Sequence, residues 1–309
     1  MTQLMWQKRR VIQAAMAALL LCLTMFSVAT TTPSVTLLLT ASNPIYQAVS
    51  TSIQASIKTH VNFKEYTLDS IKDIPHSSDP IITVGSSAFK AALNKFPEQS
   101  IIASFLPRRV FEQLLNKSQR SVNNTTAVFI DQPMTRQLSL ARMIIPNGKT
   151  IGTVFGTSSL VEKQRLDIAA EATGFTVISI VLNSQDNPIN TLQPIIQKTD
   201  LFLAIPDQSA FNRASAKWSL FISLRAKKPL MGFSEKYVDA GALAAIYSSP
   251  AQVGKHTAET LDTFLTSGLF PEPQHPRYFS VKTNPESAKT INIQIPSNEF
   301  LLRQLGDSD

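Results

Sequence analysis

Ile81–Leu93 reads IITVGSSAFKAAL, and Ile151–Ile168 reads IGTVFGTSSLVEKQRLDI. Each stretch passes from a short apolar strand, through a glycine and two or three small hydroxyl residues, into a helix. The strand portions are unbroken apolar runs rather than alternating ones, the pattern of strands covered by helices on both faces. Two such junctions in different halves of one chain imply a parallel sheet in each half.

The same alternation continues outward from both. Strand-like runs lie at Val35–Thr40, Ile81–Val84, Ser100–Phe105, Thr126–Ile130, Thr150–Phe155, Phe175–Leu182, Leu201–Ile205 and Pro229–Phe233. Between them come helical stretches at Ile45–Ile57, Ala88–Lys95, Arg108–Leu115, Thr135–Ile145, Leu160–Thr173, Ile189–Gln197 and Ser209–Ala226. Strand and helix in turn predict an α/β fold. Pro146 followed by Asn147-Gly148 marks one seam, and Pro250, opening a helix over Ala251–Ser267, marks another. The expected architecture is α/β, two doubly wound parallel-sheet lobes joined by a hinge. Residues 30–146 with 251–285 are assigned to the first lobe, 147–250 to the second, and 286–309 to a tail and short helix. A length of 309 residues suits two domains of ordinary size.

The first thirty residues stand apart. Lys8, Arg9 and Arg10 precede an apolar run from Val11 to Phe26, and Ser27–Ala29 places small residues where a signal peptidase reads. A secretory signal cleaved after Ala29 is expected; retention as a membrane anchor is the alternative. Cys22, the sole cysteine, lies inside this run behind Leu21, which does not suit a lipid attachment site. A mature chain without cysteine excludes disulfides and thiolate metal sites. Taking the three leader cations from the 29 Lys and Arg leaves 26 against 22 acidic residues. No basic run interleaved with aromatics remains, so nucleic acid is not an expected partner.

Ligands of parallel sheets sit at the carboxyl ends of strands. The residues there are rich in hydroxyls with aromatics beside them: Tyr46, Ser86 and Ser87 in the first half, and Thr157, Ser158, Asp207, Phe233 and Ser234 in the second. Gly85 and Gly156 permit close turns. Ser87 or Ser159 either caps the following helix or leaves amide groups facing an anionic ligand. Asp207 either accepts a hydrogen bond from a ligand or caps the helix near Ser209. Arg108 and Arg109 are a carboxylate clamp or a solvated helix face. Asp131 and Arg136 flank the expected crossing and read as hinge residues. Phe89, Phe155 and Tyr237 are stacking partners or core, and Trp218 reads as packing.

Catalytic patterns fail. Phe89 stands where the last glycine of a G-x-S-x-G elbow belongs, and Met143 occupies the leading glycine position of a phosphate loop ending in Gly148-Lys149-Thr150. The four histidines, His60, His76, His256 and His275, have no partner at metal-binding spacing. No enzyme, metal or cofactor is expected.

From about Ile130 to Leu265 the chain resembles periplasmic substrate-binding proteins of ABC importers, those with a type I binding-protein fold, and within them the tryptophan/phenylalanine-binding group. The segments that carry the likeness are RQLSLARMIIPNGKTIGTVFG, LFLAIPD, KKPLMGFSEKYVDAGALAAIYSSPAQVG and HTAETLDTFLTSG, with ITVGSSAFKAAL in the first lobe. The resemblance implies two lobes closing over a small solute, with Ser86 and Ser87 as first-lobe contacts and Asp207 as a second-lobe contact. The junction at Gly156 is shorter than the family's usual loop, and Ser234 stands near a position where members often carry Asp. An extracytoplasmic solute receptor is therefore expected, periplasmic, binding an amino-acid-like or carboxylate-bearing solute and delivering it to an inner-membrane ABC permease. A sensory or envelope interaction protein on the same fold, or a secreted enzyme, are the competing classes.

Overall fold

The apolar runs become the strands of two sheets. The computed structural model describes residues 32–306 apart from Gln119, Ser121, Ser184, Gln208 and Ser209, so the expected leader lies outside the described residues. The first sheet comprises β1 (Ser34–Leu39), β2 (Asn62–Thr67), β3 (Ile81–Val84), β4 (Ile101–Leu106) and β5 (Thr125–Phe129), in the order β2-β1-β3-β4-β5, with all pairs parallel. Its helices are α1 (Pro44–Ser56), α2 (Ser86–Lys95) and α3 (Arg108–Lys117).

The second sheet joins β6 (Thr150–Phe155), β7 (Thr176–Val181), β8 (Leu201–Leu203), β9 (Leu230–Gly232), β10 (Ala244–Tyr247) and β11 (Ser280–Thr283), in the order β11-β10-β9-β8-β6-β7. Only the β10–β11 pair is antiparallel. Its helices are α4 (Met134–Ile144), α5 (Lys163–Ala172), α6 (Pro188–Lys198), α7 (Arg213–Arg225) and α8 (Glu235–Asp239). The chain adds α9 (Pro250–Ser267), α10 (Pro285–Ile291) and α11 (Asn298–Gly306). The expected two-lobed α/β architecture is the one observed.

Each sheet is covered on both faces. In the first lobe, Ala88, Phe89, Ala92 and Leu93 put one stripe of α2 into a cluster with Phe111 of α3, whose ring stacks on Phe89 at 5.2 Å. Val49 and Ile53 of α1 and Ala258 and Leu261 of α9 fill the opposite face. α1 and α9 lie close because Gly254 has no side chain: a Cβ there would stand 2.6 Å from the Val49 carbonyl oxygen. Caps fix where several helices begin. Asn43 accepts from the Tyr46 amide ahead of Pro44, and Ser249 forms a capping box with Gln252 ahead of Pro250.

The chain crosses between lobes three times. It first crosses at 130–133, because α4 buries Leu138, Leu140, Ala141 and Ile144 with Ile151, Phe155 and Leu166 of the second lobe. The expected boundary at residue 146 is thus one helix late. Pro146-Asn147-Gly148 is the turn from α4 into β6 within one lobe. The second crossing is at Ser248–Ser249, as β10 gives way to α9. The third follows Gln274, which pairs with Val128 and Ala127 of the first sheet before β11 joins the second. Ser280–Thr283 therefore belongs to the second sheet, not to the first lobe as its assignment within 251–285 had it. The tail is no appendage either: Leu301 and Leu305 of α11 are buried in the second-lobe core.

Candidate functional site

Both sheets bring a topological switch point to the same place. In the first, β2 and β3 lie on opposite sides of β1; in the second, β7 and β8 lie on opposite sides of β6. Loops after such strands diverge and leave a crevice beyond the carboxyl ends. Here the two crevices face one another across a cavity of about 900 Å³.

All eight residues singled out at the strand ends, Tyr46, Ser86, Ser87, Thr157, Ser158, Asp207, Phe233 and Ser234, line this cavity. On the first-lobe wall, Ser86 and Ser87 are the opening residues of α2. They do not cap it. Thr40 does so from the end of β1, its Oγ1 accepting from the Ala88 amide (3.1 Å) while donating to the Val84 carbonyl (3.0 Å). The amides of Ser86 and Ser87 have no acceptor within their own helix, as first-turn amides never do. Gly85 holds the turn at φ +93°, and a Cβ there would lie 2.6 Å from Thr40 Oγ1 and 2.9 Å from Tyr46 Cε1. Glycine is thus required both by conformation and by space.

The second-lobe wall is built differently. No α-helix starts at Gly156; a 3-10 turn over Leu160–Glu162 intervenes before α5. Paired helix termini, one from each lobe, are therefore not what the cavity presents. A carboxylate organises the turn instead. Asp207 Oδ2 accepts from Ser158 Oγ (2.9 Å) and from the Ser159 amide (2.9 Å). Ser159 in turn accepts from the Gly156 amide through its Oγ (3.0 Å) rather than capping a helix. Ser234 occupies the N-cap position of α8 without a side-chain cap bond, so its hydroxyl is left to the cavity. The Phe233 ring leans on Tyr237 at 5.0 Å.

The lining extends beyond the sequence expectation. Phe105 sets its ring edge-on to Tyr46 (6.2 Å, 90°) from a bulge in β4, where its φ is +58°. A phenylalanine in the left-handed region is strained by about 1–3 kcal/mol, and nothing in its sequence signals this. Tyr247 and Ser248 come from the end of β10, and Gln132 and Gln137 from the first crossing and α4. Phe211 lies in the PDQSAF segment after β8. By contrast Phe89, Phe155 and Tyr237 are core, and Trp218 packs on the second-lobe cluster.

The crossings are tied together. Gln132 Nε2 donates to Ser248 Oγ (2.8 Å), which donates to the Tyr278 carbonyl (2.6 Å), so all three segments share one buried chain of bonds. Arg136 reaches Gln132 Oε1 (2.7 Å) and the Pro276 carbonyl (3.0 Å), with its guanidinium 4.2 Å from the Phe279 ring centroid. Asp131 accepts from the Arg108 amide (2.8 Å), and its pKa is raised by desolvation, which outweighs the nearby His275. Both Asp131 and Arg136 thus sit in the hinge.

Two further contacts join the lobes away from the hinge. Arg109 of α3 donates to the Pro206 carbonyl beyond β8 (2.6 Å). Arg165 of α5 grips both oxygens of Glu112 of α3 (2.9 and 2.9 Å) while also pairing with Glu162 (2.9 Å), and Arg108 holds Glu112 from its own helix (2.8 Å). Burial alone would raise the pKa of Glu112, but bonds from Arg108 and Arg165 outweigh it and hold it below the usual range. Glu162 is shifted upward, chiefly by desolvation. Arg108 and Arg109 are thus engaged with Glu112 and Pro206 rather than paired in a clamp. Among the described residues, no cluster of His, Cys, Asp and Glu could hold a metal ion.

Residues 60–303 match the model of a family described as ABC transporter substrate binding protein. A search of curated proteins found no match. Among solved structures, the chain is similar to the ligand-free, open structure of a substrate binding protein with adhesive properties from Clostridium difficile (16% identity, TM-score 0.68, 86% of this chain and 97% of that one). It is also similar to an ABC domain in complex with L-Trp from Streptococcus pneumonia (17%, 0.60, 88% and 98%). A conserved domain protein from Vibrio cholerae is a third (19%, 0.60, 88% and 98%). At these identities the likeness is one of fold.

Proposed function

From the premise that the chain belongs to the ABC transporter substrate binding protein family, we propose that it captures a small solute between its lobes and delivers it to an ABC permease. The observation that carries this is the cavity of about 900 Å³ where the strand ends of both sheets converge. That volume is near the upper end of the range for small-molecule sites, roughly 300–1,000 Å³.

The lining favours a ligand with an apolar or aromatic body and a carboxylate. Tyr46, Phe105, Phe211, Phe233 and Tyr247 supply rings from both walls. The free amides opening α2 favour an anionic group by about 0.3–1 kcal/mol, rising to about 2 when partly buried. Hydroxyls of Ser86, Ser87, Thr157 and Ser234 accept or donate as a polar head requires, with Ser158 held in place by Asp207. Micromolar binding needs about −8 kcal/mol, which a few such bonds and two stacked rings supply once water is expelled. The L-Trp bound to one structural relative is consistent with an amino-acid-like solute. Delivery from the periplasm requires export by the N-terminal segment, and the permease would read the lobe-closed population that ligand raises.

Thermal-shift screening against amino acids, peptides, sugars and nucleosides tests the proposal. One class is expected to raise the melting temperature; a ligand at a hundredfold excess over its Kd stabilises by about 2.7 kcal/mol. Tyr46→Ala and Phe233→Ala should abolish that shift while still unfolding cooperatively, at a somewhat lower ligand-free melting temperature because both rings pack on their lobes' cores. Full retention of the shift in both variants would remove the cavity from the binding function.

A further inference from the structure

The outer face of α7 serves no part of the cavity, yet its composition is unlike the rest of the surface. Arg213, Lys217, Leu224 and Arg225 are exposed along it, with Phe221 49% exposed and Leu224 44%. Trp218 stands edge-on to Phe221 (5.8 Å), and the Arg225 guanidinium lies 6.0 Å from the same ring. Lys227 and Lys228 follow directly, and α6, packed alongside, ends in Lys198.

Neither α6 nor α7 contains an acidic residue. Asp200, between them, is engaged by Lys149 and Thr150 and lies near Lys228. Among the described residues, no ion pair involves Arg213, Lys217, Arg225 or Lys227. Glu286 and Lys289 of α10, which touches α7, cancel one another. The full chain carries a formal excess of seven positive charges. Three of its cations are Lys8, Arg9 and Arg10, and six lie on or beside this one face.

We propose that this face of α7 docks on an anionic lipid surface. The composition suits an interfacial contact: cations for the headgroups, with Phe221 and Leu224 exposed between them to reach the acyl boundary. The face is a convex helix whose exposed apolar side chains stand singly among cations, and that density of positive charge favours a surface of repeated negative charge. α7 opens two residues after Phe211 of the cavity lining, so a molecule resting on it keeps the solute site within about a helix length, ~20 Å, of the bilayer. The charge attraction places docking among salt-sensitive, reversible contacts, not stable anchoring.

The test is co-sedimentation of the full chain with vesicles of phosphatidylglycerol and phosphatidylcholine, against phosphatidylcholine alone. Lys217→Gln with Arg225→Gln should lower partitioning onto the anionic vesicles about thirtyfold, from the worth of two cations near a charged surface. Phe221→Ser should lower it further at equal charge. The apolar segment Val11–Phe26 can enter either kind of vesicle by itself, so each protein is scored by its binding to anionic over neutral vesicles, and the variants are compared with the parent on that measure. Both substituted cations are exposed, and unchanged melting temperatures would verify folding. Equal partitioning of the double variant and the parent would overturn the proposal. So would a double variant that keeps vesicle binding but loses solute delivery in cells, which would assign the face to a protein.

Discussion

Glu112→Gln should shift the lobes toward separation, by an amount that follows from who holds Glu112 in each state. With the lobes together, its carboxylate accepts two bonds from Arg165 of the opposite lobe and one from Arg108 of its own helix. With the lobes apart, Arg108 remains, and Arg165 keeps Glu162. Only the contact from Arg165 Nη2 to the two carboxylate oxygens across the cleft is at stake. Both side chains are about one-third exposed, so screening limits the pair to the upper part of the range for exposed ion pairs, about 1 kcal/mol. That corresponds to about a fivefold lower ratio of joined to separated lobes.

The pH dependence follows from the same bond. Because Glu112 is held below its ordinary value of 4.5, its contribution is complete above that value and disappears as pH falls through the lowered pKa. Spin labels at Lys90→Cys in α2 and Glu171→Cys in α5, with Cys22→Ser, would report the two populations by distance distribution. The parent should lose joined population in acid and in high salt, and the Gln variant should show less of both effects. Identical populations for parent and variant at neutral pH and low salt would refute the bridge.

Gly85→Ala should cost about 2 kcal/mol or more in urea denaturation, since φ +93° and the contact with Thr40 Oγ1 both oppose a Cβ; a neutral result would show that the turn can relax. Asp207→Ala leaves the Ser158 hydroxyl and Ser159 amide without their carboxylate at a site 5% exposed. Stability should fall by about 1–3 kcal/mol and ligand affinity should fall with it, whereas an effect on affinity alone would mean the residue acts on the ligand only. His256 is buried, and burial, aided by Arg277, lowers its pKa from 6.5 to about 4. Its Nδ1 accepts from the Arg277 amide in the third crossing segment (3.2 Å). The unfolded chain binds the proton first, so stability is full above pH 6.5 and falls by up to about 3 kcal/mol as pH drops to 4. Denaturation at several pH values should show that slope flattened in His256→Gln.

The strands that sequence reading located are those buried on both faces, such as Ile81–Val84, because such runs have few alternatives. β2, NFKEYT, escaped it, since an edge strand half in solvent need not be apolar. β10, AAIY, escaped it because two alanines read equally well as helix, and with it went Tyr247 and Ser248. The misplaced crossing has a related cause. Pro146-Asn147-Gly148 is the stronger turn signal, but a turn signal says where the chain bends, not which sheet the next element joins. That depends on whether Leu138 and Ile144 find partners in one lobe or the other, and those partners are distant in sequence. The hydroxyl junctions were legible because βα geometry alone places them at the ligand end of a sheet. The bond from Thr40 to Ala88, the left-handed Phe105 and the reach of Arg109 to Pro206 all depend on contacts or backbone angles that no local pattern encodes.

The two classes of interlobe contact have different consequences for switching. The bonds among Gln132, Ser248 and Tyr278 are buried at the pivots, where rotation changes distances least, so they define the axis without choosing an angle. The Arg109–Pro206 and Glu112–Arg165 contacts lie off the axis and exist only when the lobes meet. At about 1 kcal/mol each, together they change the ratio of joined to separated lobes by about thirtyfold. Carrying an equilibrium from 1:99 to 99:1 takes about 5.5 kcal/mol. The bridges are present with or without a solute, so they offset part of the cost of joining the lobes but supply none of that shift, and the whole ~5.5 kcal/mol has to come from a solute touching both walls. Stronger bridges would close the lobes on nothing, and weaker ones would raise the affinity a solute must supply. The partial exposure of Glu112 and Arg165 keeps this bridge weak, so it biases the lobes toward joining without fixing them there.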